Sequence, residues 1–491
     1  MTDRDRVVQH VGAGDFIDAH RLWTDEQREA AREVTDRLGQ GDITTVRVVW
    51  ADQHGVSRGK LLSAGDFSSA LGSGMDFQGA SLIMDTGNHV FTPLFVEGGG
   101  FGIPEFTGFP DVVLVPDPTT FRVLPWLPNV AWVLSDMYFR NGKPVPFSSR
   151  TVLRRQVEAA RDLGYEFVAG LEVEFYITVP ERAEIGLDET GQPPPPLAVR
   201  PVAQGYQYLS ESRLGDLAPI LEVLRENLEG LGLPLRTMED EWGPGQCEFT
   251  FGPLPGVEPA DVMLLFRTAT KQLCKREGLH ASFMSRPALP NFFSSGWHLH
   301  QSLTDLSSGG NAFKSNDGEV LSEVGRRYVA GIIDHAIPMS LFANPTITGY
   351  KRLKPYSFAP DRANWARENR GAYVRVQGEP GEEGTHIENR SGEPAANPYL
   401  YMAANLAAGL DGIKRELEPP PIVDGDPYAS ESTPLPTTLW EAVDAVENDE
   451  FFNEAFGKAF MDYIVMAKRS EIGRFLSEVT DWEHREYFEF Y

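Results

Sequence analysis

Two carboxylates stand two residues apart in the run Gly170-Leu171-Glu172-Val173-Glu174-Phe175-Tyr176. Residues at this spacing on a strand point to the same face, so Glu172 and Glu174 share one side. A charged pair on an amphipathic strand is ordinarily a solvated face. Here the intervening and flanking Leu171, Val173 and Phe175 are apolar, which predicts a strand covered on both sides. Carboxylates on such a strand need a cation.

Three further segments repeat the theme. Glu241 and Glu248 sit at either end of a Gly243-Pro244-Gly245 turn, His298 and His300 share a face in Gly296-Trp297-His298-Leu299-His300, and Glu388 and Arg390 do so in His386-Ile387-Glu388-Asn389-Arg390. Singly, these read as a hairpin with polar ends and as satisfied core histidines. Together, five glutamates with one or two histidines form an oxygen-rich donor set suited to Mg²⁺ or Mn²⁺, and two ions fit it better than one. The chain's two cysteines, Cys247 and Cys274, are not clustered with histidine, which argues against zinc and against a disulfide framework.

An arginine-rich stretch lies between these acids: Lys351-Arg352, Arg367, Arg370 and Arg375, interleaved with Tyr350, Trp365 and Tyr373. On an acidic chain such residues are ordinarily surface counter-charges. Beside two hard cations they suit a nucleoside triphosphate, whose oxygens guanidinium groups clamp in bidentate fashion. No Walker loop is present, so metal and arginine would hold the phosphates. The 44 basic residues against 71 acidic ones give a net charge of −27, which disfavours nucleic acid and anionic membrane as partners. The opening residues, Met1 to Phe16, lack a signal-peptide core, and no apolar run approaches a membrane span, so a cytoplasmic location is expected.

The pattern along the chain predicts an α+β protein. Thr24 and Gln27 form a capping box for a helix to about Leu38. A hairpin follows, with strands at Thr44–Trp50 and Arg58–Leu62 about the turn Asp52–Gly55. More strands are expected at Asp111–Val115 and Val130–Ser135, and the Gly142–Pro146 break closes a first domain, 1–143, from a second, 144–491. In the second, helices are expected at Ser149–Leu163, Leu214–Leu231, Pro259–Glu277, Ser322–Phe342 and Ala395–Leu417, with two more beyond Pro436. The Glu97–Gly100 run lacks phosphate-loop spacing and reads as a mobile loop.

These residues, in this order, resemble the glutamine synthetase superfamily over nearly the whole chain. The resemblance rests on Gly170 to Phe175, Glu241 to Glu248, Ser295 to Leu303, Asn344 to Leu353, Asn369-Arg370, and Glu388 to Leu400. It implies a small β-grasp-like N-terminal domain and a catalytic domain whose antiparallel sheet forms a funnel. It implies ATP and two or three Mg²⁺ or Mn²⁺ ions as cofactors. Glu174, Glu241 and Glu248 would hold the ion nearer the glutamate, and Glu172, His298 and Glu388 the one bridging nucleotide phosphates. Arg352 and Arg390 match positions contacting glutamate or the transferred phosphoryl group, Ser294 and Gly296 lie with the substrate, Arg370 and Arg375 match nucleotide-phosphate positions, and His300 and Ser302 lie near the nucleotide. The implied partners are L-glutamate, an amine, ATP and further copies of the chain in stacked rings, a dodecamer being expected.

Departures from the pattern bear on the amine. Phe358 stands where true glutamine synthetases carry a glutamate that closes the site and helps deprotonate ammonium. Losing that carboxylate weakens cation binding, so ammonia is disfavoured. Phe293-Ser294 replaces an Asn-Gly pair, and Trp297 precedes His298. Phe358 with Phe292, Phe293 and Trp297 is a candidate wall for an aromatic, aniline-like or small alkyl amine, although core packing is the ordinary reading of Phe292 and Phe293. Alternatives are an ammonia-using glutamine synthetase, a γ-glutamylpolyamine synthetase and a non-catalytic ring-forming relative. The setting of Tyr428 gives no ground to expect adenylylation there.

Overall fold

The computed structural model describes residues 15–96 and 99–491. The reading of the opening residues up to 14, and that of Glu97 and Gly98, lie outside the described part. Of the Glu97–Gly100 run, Gly99 closes a turn by donating to the Val96 carbonyl at 2.9 Å.

The first sheet is built from β1 (Thr45–Ala51), β2 (Ser57–Ser63), β3 (Met75–Phe77), β4 (Val112–Pro116), β5 (Arg122–Leu124) and β6 (Leu127–Tyr138), in the order β2-β1-β6-β4-β3 with β5 against β6. β1 and β2 form the expected hairpin, and β1 runs parallel to β6, which makes the sheet mixed. The capping box is present: Thr24 and Gln27 close the first turn of the helix Asp25–Gly39 reciprocally. A short helix at Phe16–Ala19 and a longer one at Ala64–Ser73 have no counterpart among the expected elements. The Gly and Ser content of the longer one lowers propensity, and burial of Phe67, Ala70 and Leu71 stabilises it instead.

The second sheet has nine strands: β7 (Tyr165–Pro180), β8 (Val199–Pro201), β9 (Leu235–Asp240), β10 (Gln246–Pro255), β11 (His280–Ser282), β12 (Trp297–Asp305), β13 (Trp365–Arg367), β14 (Val374–Gln377) and β15 (His386–Asn389). Its order is β13-β14-β15-β12-β7-β10-β9, with β8 and β11 on the far end of β7. On one face Leu171, Val173, Phe175, Phe249, Trp297 and Leu299 are buried, and helices pack there, among them Ser149–Asp162, Glu258–Arg276 and Pro398–Lys414, the last meeting β12 and β15 through Tyr401 and Asn405. The alternate residues point the other way, into a cleft.

Two helix expectations need correction. The continuous helix expected at Ser322–Phe342 is two, Glu323–Asp334 and Ala336–Ala343, broken at His335. Pro338 has no N–H for the Asp334 carbonyl and its ring would crowd that group, so the helix cannot continue through it. Beyond Pro436 there are four helices, Leu439–Glu447, Glu450–Phe456, Lys458–Ser477 and Asp481–Tyr487. Caps at Thr438, Asp449 and Thr480 and the left-handed Gly457 start them separately.

Buried polar contacts join the two sheets. Arg150 meets Asp117 at 2.8 Å, Asp136 at 3.2 Å and Asp261 at 2.8 Å. Arg267 is buried with its guanidinium on the carbonyls of Gly55, Pro394 and Ala396, and Asn397 donates to Asp52 and Gln53 carbonyls. The β1–β2 turn thus braces the loop that follows Glu388 and Arg390.

Candidate active site

Strand register assembles what the sequence lists separately. Across β10, β7 and β12, Glu248 lies opposite Glu174, and Glu172 opposite His298. Across β12, β15 and β14, His300 lies opposite Glu388, and Glu388 opposite Arg375. Glu239 of β9 lies opposite Glu248. All but the fully buried Glu388 line one cleft of about 1420 Å³, large enough for more than one small substrate.

Three donor groups result, each with ligand atoms within 4.8 Å of one another: Glu172–Glu248–His298, Glu172–His300–Glu388 and Glu239–Glu241–Glu248. His300 therefore joins a cation-type cluster as well as lying toward the expected nucleotide side. Glu239 is an addition that the strand parity with Glu241 could have revealed. Glu174 stands apart from the three groups and accepts from Gln246 Nε2 at 3.1 Å and Gly296 N at 3.0 Å.

The electrostatics divide the site in two. Burial alone would raise Glu172, but His298 and His300 outweigh it and hold its carboxyl well below the usual range. Burial likewise opposes ionisation of Glu388, yet Arg390, His298 and His300 hold it down at about 2. The other end lacks such compensation. Burial first, then Glu172, Glu174, Glu241 and Glu239, push Glu248 well up, and burial followed by Glu174 pushes Glu241 up to about 7. Converging carboxylates with this unmet negative charge fit a hard divalent cation.

The arginines do not all converge. Arg352 and Arg390 are buried at the cleft floor. Arg352 donates to the Arg390 carbonyl at 2.9 Å and the Ser391 carbonyl at 3.1 Å, while Arg390 pairs with Glu388 and donates to the Arg370 carbonyl at 2.9 Å. Arg370 and Arg375 line the cleft, Arg375 meeting Glu388 at 3.1 Å. Arg367 instead pairs with Glu379 outside the cleft lining. Gly296 allows Arg352 its place: a Cβ there would lie 2.9 Å from the guanidinium carbon. Ser294 and Ser302 also line the cleft.

The expected aromatic wall is redrawn. Phe293 and Phe358 line the cleft, 44% and 71% exposed. Trp297 does not: strand alternation turns it to the helical face, where it is buried against Tyr401 with ring centroids 5.1 Å apart. Phe292 is buried and stacked on Tyr176 at 4.5 Å. Two rings the sequence reading passed over, Tyr208 and Trp242, line the cleft beside Glu241.

Comparison with known proteins agrees with this geometry. Residues 146–487 match the family model described as glutamine synthetase, catalytic domain. The chain belongs to the glutamine synthetase family. It is 43% identical to a γ-glutamylanilide synthase of an Acinetobacter species, over 96% of this chain and 98% of the relative. It is 30% identical to a glutamate–isopropylamine ligase of a Pseudomonas species, over 95% and 99%. A solved structure described as apo GmaS without ligand superposes with a TM-score of 0.77 at 28% identity, covering 93% of this chain and 99% of that one. The glutamine synthetase resemblance and the α+β fold are thereby established; the large sheet, expected to be antiparallel, is so except at its β13–β14 edge, where the two strands run parallel. Among the described residues, no helix is long and apolar enough to cross a membrane.

Proposed function

We propose that this chain is an ATP- and divalent-cation-dependent ligase that joins the γ-carboxylate of L-glutamate to an organic amine, apolar or aromatic in preference to ammonium. The observation that carries it is one sheet face on which uncompensated carboxylates stand beside two buried arginines. The 43% identity to a γ-glutamylanilide synthase supports the amine class.

In this reading Glu174, Glu241 and Glu248 hold the cation nearer the glutamate, and Glu172, His298 and Glu388 the one nearer the nucleotide. Glu239 and His300 complete a set for two or three ions. Bound there, Mg²⁺ or Mn²⁺ supplies charge neutralisation for transferring phosphate. Arg352 and Arg390 orient the glutamate carboxylate, while Arg370 and Arg375 stabilise charge on the phosphoryl oxygens. The γ-carboxylate oxygen attacks the terminal phosphorus of ATP and ADP leaves. The amine lone pair then attacks the acyl carbon. The C–N bond forms as the C–O bond to phosphate breaks, the electron pair departs with phosphate, and the nitrogen releases a proton. An arylamine is already unprotonated at neutral pH and has little use for the carboxylate that Phe358 replaces. The reading also carries a first domain to residue 143, a cytoplasmic location and a homo-oligomer of stacked rings.

ADP release with glutamate, ATP and a panel of aniline, isopropylamine, putrescine and ammonium tests it. Turnover highest with aniline or isopropylamine is expected. A clear preference for ammonium or putrescine, or no ADP release with any amine, overturns it.

A further inference from the structure

Three rings from separate loops meet at the β9–β10 end of the cleft. Trp242 lies 5.6 Å from Tyr208, centroid to centroid, and 6.4 Å from Phe293, the latter pair edge-on. They are 53%, 46% and 44% exposed. Large aromatic side chains left half-open on a cleft wall are surface held ready for an apolar ligand.

The loops are locked together, which separates this cluster from chance proximity. Gly205, with φ +59°, approaches so closely that any Cβ would overlap the Gly243–Pro244 backbone beside Trp242. The Tyr176 hydroxyl accepts from Phe293 N at 2.8 Å, and a Cβ on Gly243 would overlap that same hydroxyl. Gln246 accepts from Gly243 N at 2.9 Å and donates to Glu174 at 3.1 Å, tying the rings to the acidic face. Tyr208 itself is presented between Gln207 and Leu209, both in the left-handed region, a conformation sustained only when surrounding structure imposes it. By contrast Phe358 has no aromatic neighbour among the described residues, the nearby Tyr356 ring being turned to Tyr428.

We propose that Trp242, flanked by Tyr208 and Phe293, is the surface on which the acceptor amine's aromatic or apolar group rests, and that it sets which amine is used. The proposal rests on the ligase reading above and deepens it. The opposite end of the cleft, with Arg375, Gln377 and His386, offers a polar lining suited to phosphates, and the floor is taken by Arg352 and Arg390. Arg286 lines the cleft on the Phe293 side, donating to Ser294 Oγ at 3.1 Å, while Glu241 adjoins Trp242, so charges of both signs border the rings and the apolar surface of the rings is what distinguishes one amine from another.

The test is full steady-state kinetics of wild type, Trp242→Ala and Phe358→Ala with aniline, isopropylamine and putrescine, each at saturating glutamate and ATP. The wild-type row alone judges the ligase reading. The ratio between variants judges the wall. In Trp242→Ala the kcat/KM ratio of aniline to isopropylamine should fall about tenfold or more, carried by the aniline KM, the size of effect expected when a pocket loses a large apolar contact. Trp242→Phe should restore much of it. Equal losses for all amines would mark Trp242 as merely structural and overturn the proposal. So would a larger fall of that ratio in Phe358→Ala, a loss greater for putrescine than for aniline, or a wild type that accepts no organic amine.

Discussion

Replacing Gly296 with alanine adds one methyl group and should cost about two orders of magnitude in activity. A Cβ at this position would stand 2.9 Å from Cζ and 3.1 Å from Nε of Arg352, with Nη2 nearer still. Comfortable carbon contacts are about 3.5–4.0 Å, so the guanidinium must shift by roughly 0.6–1 Å. It has little freedom to do so, being buried and bonded to the Arg390 and Ser391 carbonyls at 2.9 and 3.1 Å. A misplacement of about 1 Å at a positioning group costs about 10²-fold, or about 2.7 kcal/mol in the transition state. Overpacking should add a stability loss of about 1–3 kcal/mol, short of unfolding. Kinetics with glutamate as the varied substrate, alongside Mn²⁺ titration calorimetry, makes the check. kcat/KM for glutamate should collapse while Mn²⁺ still binds, because the carboxylates are untouched. Near-wild-type kcat/KM in the folded variant would refute the role given to Arg352. Loss of Mn²⁺ binding would show that the effect travels through Glu174, which accepts from Gly296 N.

Glu172→Ala, Glu248→Ala and His298→Ala should each abolish ADP release and weaken Mn²⁺ binding about 10-fold or more while leaving the thermal transition cooperative. Near-normal turnover in any one would count against the donor groups. The pH dependence of the metal-free protein follows from Glu241, whose carboxyl is raised from 4.5 to about 7. A raised folded-state value means its contribution to stability is present below the unfolded value and lost as pH rises through the folded one. The melting temperature without metal should therefore decline between about pH 5 and 8, and excess Mn²⁺ should lessen the decline; identical profiles with and without the ion would contradict the assignment. Arg150→Leu leaves Asp117, Asp136 and Asp261 without their shared buried cation, so denaturant unfolding should show a loss of about 3–5 kcal/mol. A loss under about 1 kcal/mol would mean that the network is dispensable.

Much of this was legible because strand alternation is a strict rule. Parity alone put Glu172 with Glu174 and His298 with His300, and each pair does face the cleft. The same rule, applied one residue further, excludes Trp297 from that face and includes Glu239 with Glu241; reasoning from neighbours along the chain instead of from parity misplaced the first and missed the second. Capping and turn chemistry at Thr24 and at Asp52–Gly55 are likewise local and were readable. Register is not local. That His300 faces Glu388, or Glu248 faces Glu174, depends on which strands become neighbours across long stretches of chain, and nothing in either segment names its partner. The Tyr208–Trp242–Phe293 cluster carries this furthest, since its members come from three irregular loops joined by two glycine approaches and one tyrosine hydroxyl. A sequence supplies the rings and the glycines separately, and only the folded chain turns them into one surface. Such loops are a natural seat for the choice of acceptor, since a ring can be exchanged there while the strand-borne carboxylates keep their places.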